Sequence, residues 1–108
     1  MLYFSINSPD NHHLGFLVLM DNDDSTYTNG ASGYYAVKAQ ADEADVQACP
    51  AQWQILQQLS QHDSLSWYRQ SDYVQLCDAE NNIIGRLQQQ YLSLCGQRFL
   101  LNDLTGTL

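Results

Sequence analysis

Residues 64–77, SLSWYRQSDYVQLC, decide how this chain is read, because apolar and polar side chains start to alternate there after a helical stretch that closes near Asp63. Leu65 and Trp67 alternate with Ser64, Ser66 and Tyr68, and Val74 and Leu76 flank Gln75. A period of two marks a strand with one buried face, so 64–70 and 73–77 are two strands joined by Ser71 and Asp72. Downstream, Asp78-Ala79-Glu80-Asn81-Asn82 is a turn before a strand over 83–91. A further turn around 93–96 leads to Arg98-Phe99-Leu100-Leu101. The reading is a meander of three or four antiparallel strands, apolar on one face and covered by Arg86, Gln88 and Gln90 on the other.

Working back from this stretch, Pro50 opens the best-marked helix, over 50–62, since proline at the first helical position gives up an N–H that would be unpaired anyway. Trp53, Leu56 and Leu59 recur at helical spacing beside Ile55, with Gln54, Gln57, Gln58 and Gln61 opposite. Residues 41–48, rich in Ala, Asp and Glu, form a short helix or an acidic connection. Earlier still, 3–6 is β-prone and 7–11 (NSPDN) is a turn. The run 14–20 (LGFLVLM) is continuous enough to predict a central strand buried on both faces. Residues 21–33 (DNDDSTYTNGASG) make a polar loop with the turn dipeptide Asn29-Gly30, and 34–39 returns to a strand beside 14–20. The expectation is a single α+β domain over 1–108: an antiparallel sheet of about five to seven strands with a C-terminal meander and one main helix packed on it. No internal repeat is visible in the sequence.

The segment from Tyr73-Val74-Gln75-Leu76-Cys77 through Asp78-Ala79-Glu80-Asn81-Asn82 to Ile83-Ile84-Gly85-Arg86-Leu87, followed by Phe99-Leu100-Leu101-Asn102-Asp103, resembles the repeating hairpins of tubby-like and scramblase-like β-barrels. The likeness spans under a third of the chain. The chain is shorter than such a barrel, and no function is carried over.

Composition narrows the function classes. Twelve acids face four bases, Lys38, Arg69, Arg86 and Arg98, for a net charge of −8. Four scattered cations cannot build the basic stripe that grips nucleic-acid phosphates, and anionic membranes are disfavoured for the same reason. A basic protein surface is the complementary partner. The first residues lack the pattern of a secretory leader. Cys49, Cys77 and Cys95 form no CxxC pair. Together these features predict free thiols and a cytoplasmic protein.

Candidate chemistry is sparse. Asp21-Asn22-Asp23-Asp24-Ser25 opens like a calcium loop, but Thr26 stands where the sharp turn needs glycine and Ser32 where a bidentate glutamate belongs. Cys49 precedes the helix at Pro50, where the helix dipole favours a thiolate, yet Asp42, Glu43 and Asp45 lie just upstream. His12, His13 and His62 show no chelating spacing. A Cys49/His62/Asp63 triad is excluded within one helix, whose ends are about 20 Å apart. Glycine-rich phosphate loops, nucleophile elbows and zinc signatures are missing from the sequence.

Three functions are therefore weighed. The leading expectation is a small acidic non-enzymatic protein-binding module, of the inhibitor or antagonist kind, that docks on a basic partner through Asp21, Asp23, Asp24, Asp42, Glu43 and Asp45. The alternative is a small-ligand-binding domain with an aromatic cleft between helix and sheet, lined by Trp53, Trp67, Tyr68 and Tyr73. The third is an enzyme acting through Cys49. No cofactor or metal is expected.

Overall fold

The computed structural model describes residues 2–21, 32–63 and 65–105. Strands β1 (Leu2–Asn7), β2 (His13–Asp21) and β3 (Ser32–Ala39) come first. Helices α1 (Glu43–Ala48) and α2 (Pro50–Leu59) follow, and then β4 (Leu65–Arg69), β5 (Val74–Cys77), β6 (Ile83–Gln88), β7 (Tyr91–Leu94) and β8 (Gln97–Asp103). Every strand pairs antiparallel with the next, and β8 returns to pair with β1, where Leu101 faces Ile6 and Asp103 faces Phe4. The result is a closed eight-stranded barrel. This overturns the expectation of an α+β sheet of five to seven strands carrying one main helix. The meander read in the last third runs through the whole chain, interrupted only by the two short helices.

Two local misreadings lie behind that error. The stretch 83–91 is not one strand: Gln89 takes a positive φ of 56°, and a two-residue turn at Gln89 and Gln90 divides β6 from β7. The run 14–20 is apolar throughout but is not buried on both faces. Leu17 and Leu19 point inward at no exposure, whereas Met20 is 39% exposed on the outer wall.

The strand alternation fills the lumen. Ile6, Leu17, Leu19, Tyr35, Val37, Leu65, Trp67, Val74, Leu76, Leu87, Leu92, Leu94, Phe99 and Leu101 form one buried cluster. Eight strands enclose a space just wide enough for side chains, so this interior is a packed core and not a channel. Membrane-spanning barrels have the opposite polarity, apolar outside and polar within, on strands of about 9–11 residues. Here β5 and β7 have four residues each. Among the described residues no helix is long and apolar enough to cross a membrane.

Helix α2 touches β2, β3 and β8. Because β1 and β2 separate β8 from β3 in the wall, a helix that reaches all three lies across the end of the barrel. Pro50 starts it, and the fully buried Leu56 and the nearly buried Leu59 join the core, with Trp53 and Ile55 partly buried beside them. Cys49, the thiol on which the enzyme reading rested, is part of the core at 5% exposure.

A repeat that the sequence conceals emerges in the hairpins. In the β1–β2 turn, Ser8 N donates to His12 O (2.8 Å) and Asn11 N to Ser8 O (2.9 Å). In the β5–β6 turn, Asp78 N donates to Asn82 O (2.9 Å) and Asn81 N to Asp78 O (3.1 Å). Ser8 Oγ accepts from His12 N at 3.0 Å, just as Asp78 Oδ1 accepts from Asn82 N at 2.8 Å. Asn11 and Asn81 both take the left-handed conformation, at φ 70° and 65°. Each turn follows a bulge, and Gly15 opposite Ile6 corresponds to Gly85 opposite Leu76. The correspondence reaches the third strand, since Gln40 N donates to Leu14 O (3.0 Å) and Cys95 N to Ile84 O (2.8 Å).

Candidate functional site

With the lumen filled, recognition falls to the outer wall. On β1–β3 the outward side chains line up in register: Tyr3 beside Val18 beside Ala36, Ser5 beside Phe16 beside Lys38, and Met20 beside Tyr34. Strand pairing sets such neighbours about 5 Å apart, so they act as one surface. Tyr3 and Phe16 stack with ring centroids 5.5 Å apart at 20°, and His13 meets Phe16 edge-on at 5.0 Å and 66°. Tyr34 is 52% exposed at the far end of this strip.

Polar contacts hold the near end. Asn7 is buried; its Nδ2 donates to Ser5 Oγ (3.3 Å) and to Leu100 O (3.5 Å), and its Oδ1 lies 3.4 Å from His13 Nδ1. Next to it, His12 Nδ1 and Asp45 Oδ1 are 2.9 Å apart, which ties α1 to the start of β2. Asp42 and Glu43 at the head of α1 are exposed, and Glu43 Oε1 accepts from Gln47 Nε2 at 3.3 Å.

Of the acidic residues expected to contribute to docking, the structure describes Asp21, Asp42, Glu43 and Asp45. Asp42, Glu43 and Asp45 sit at the end of the barrel that α2 covers. Asp21 ends β2 at the opposite end. Asp23 and Asp24, with most of the loop weighed against a calcium pattern, lie outside the described residues. Among the described residues no group of His, Cys, Asp and Glu side chains could hold a metal ion.

The four aromatics of the expected cleft are likewise dispersed. Trp67 is fully buried in the lumen, and its Nε1 donates to Met20 O at 3.0 Å. Trp53 packs under α2, Tyr68 faces outward on β4, and the Tyr73 ring lies under the Arg86 guanidinium, 4.7 Å from centroid to Cζ. The three main grooves among the described residues are lined by none of them. Sequence reasoning passed over Tyr3, His13 and Phe16, because their association depends on strand register. The available signal was the outward half of the 14–20 run, which stays apolar where a solvated face would be polar.

The family model described as HLGFF-containing, Neisseriales, matches residues 1–108, and the chain belongs to that family. The string in its description corresponds here to His13-Leu14-Gly15-Phe16-Leu17, with Leu17 in place of the last phenylalanine. The structure gives these five residues separate duties. His13 and Phe16 form the outer aromatic contact, Leu14 and Leu17 are fully buried, and Gly15 lets β2 and β3 approach. Comparison with curated proteins and with solved structures returns no match.

Proposed function

We propose that this protein is a small non-enzymatic binding module that docks on a basic partner protein through the outer wall of β1–β3. The observation that supports this reading is the outward strip of exposed Met20 and Tyr34 and half-buried Tyr3 and Phe16, with Asp42 and Glu43 at one end of β2 and Asp21 at the other. Aromatic anchors supply most of the binding energy in protein interfaces, and a charged rim sets encounter rate and partner choice. An inhibitor or antagonist is the finer form of the same reading.

The test captures partners from the source cell with the full chain and with two variants, Tyr34→Ala and Asp42→Asn/Glu43→Gln, and measures binding kinetics for the captured protein. Loss of Tyr34 is expected to weaken binding about tenfold or more, chiefly through faster dissociation. Loss of the two acids is expected to slow association and flatten its salt dependence. Equal capture and equal kinetics for all three chains would rule the wall out.

A further inference from the structure

The face formed by β6–β8, which meets the β1–β3 wall at the β1–β8 seam, carries a second feature. On β6–β8 the outward residues Arg86, Ser93 and Arg98 stand in one row, Arg86 paired with Ser93 and Ser93 with Arg98. The row runs along a groove of about 550 Å³, whose walls include Pro9, Tyr91 and Leu100. That volume falls within the roughly 300–1,000 Å³ of small-molecule sites.

Two of the chain's four cations thus line one groove. In a molecule of net charge −8, arginines would be expected to be taken up by carboxylates. Among the described residues neither Arg86 nor Arg98 forms an ion pair. Two strand spacings, roughly 9–10 Å of backbone, separate them, so their guanidinium forks can close on a single anionic head from both sides with the Ser93 hydroxyl between. The Arg86 guanidinium rests over the Tyr73 ring on the β5 side of its strand and turns from there towards β7 to meet the anion. Tyr91, 56% exposed, offers an aromatic face to the rest of the ligand.

We propose that this groove binds a small amphipathic anion, with its carboxylate held between Arg86 and Arg98 and its apolar body laid along Tyr91, Leu100 and Pro9. The groove adjoins the docking wall at the β1–β8 seam through Pro9 and Leu100, but its arginines lie on β6 and β8, so the two readings are tested on different side chains.

The experiment titrates the full chain with 4-phenylbutyrate, its neutral amide, and acetate, following backbone amide and arginine Nε–Hε resonances. Phenylbutyrate is expected to shift the signals of β6–β8 and of Arg86 and Arg98, and to bind at least tenfold tighter than either the amide or acetate. Arg86→Gln and Arg98→Gln should each weaken it at least fivefold with unchanged spectra elsewhere, while Arg69→Gln, outside the groove, leaves it unaltered. Equal binding of acid and amide, shifts lying elsewhere, or full affinity in both arginine variants would overturn the proposal.

Discussion

A Cβ on Gly15 would run into the carbonyl oxygen of Lys38, and one on Gly85 into that of Ser93. Backbone cannot step aside as a side chain can, so Gly15→Ala is expected to cost about 1–3 kcal/mol, read as a shift of the urea midpoint at constant slope. Trp67 fills the lumen and donates its indole N–H to Met20 O, so Trp67→Phe should destabilise by about 1–3 kcal/mol through the lost hydrogen bond and the smaller ring. Tyr35 is buried and donates its hydroxyl to Cys77 O at 3.0 Å. Burial, with the neighbouring thiols and Asp78 adding to it, drives its pKa well above the usual phenol range. The cysteines separate by position. Cys95 is exposed, while Cys49 and Cys77 are buried, and all three are free. An aromatic disulfide reagent should therefore react quickly with one thiol of the native protein and with three after unfolding. Partial burial, and after it the Asp78 charge, raise the Cys95 pKa, so its rate should still be climbing above the ordinary thiol range.

At the scale of elements, the turns carry the clearest expectations. Backbone and side-chain hydrogen bonds from Asn82, with the Glu80 amide, hold the Asp78 carboxyl below the usual carboxylate range, and Thr105 does the same for Asp103. Folded values lower than unfolded ones mean that this stability is present above about pH 4 and disappears as pH falls through the folded values. Urea midpoints should drop on acidification, and the drop should be smaller in Asp78→Ala. The β7–β8 turn places Cys95 at φ 51° before Gly96 at φ 84°, a pair of left-handed residues that Asn-Gly suits best. Cys95→Asn is expected to raise stability by about 0.5–1 kcal/mol in thermal unfolding. Most of these elements were legible. The strands at 64–70 and 73–77 and the helix begun by Pro50 follow from local period and from proline chemistry. The β6–β7 turn was not, because Gln89 and Gln90 hold none of the residues that usually mark a positive φ.

For the whole molecule, the step hidden from sequence was closure. Nothing local states that Leu101 will face Ile6, ninety-five positions away, and without that seam the same strands read as an open sheet with a helix on it. The candidate wall was hidden for the same reason: Tyr3, Phe16 and Tyr34 become neighbours only once register is fixed. Unpairing the seam should be costly, since it frees one edge on β2 and one on β8. Removing residues 2–6 is expected to yield a chain that associates in a concentration-dependent way, as light scattering would show. The matched turns at 8–12 and 78–82 carry a different implication. Five residues with little in common beyond one asparagine build the same corner twice, seventy places apart, so the barrel contains its own spare part. Writing Ser-Pro-Asp-Asn-His over 78–82 should give a chain that folds as before, within about 1 kcal/mol of the original. Moving that asparagine a single place along should not, because the left-handed seat would pass to a residue unsuited to it. Interchangeable corners would let one hairpin vary in sequence while the other keeps the wall in register.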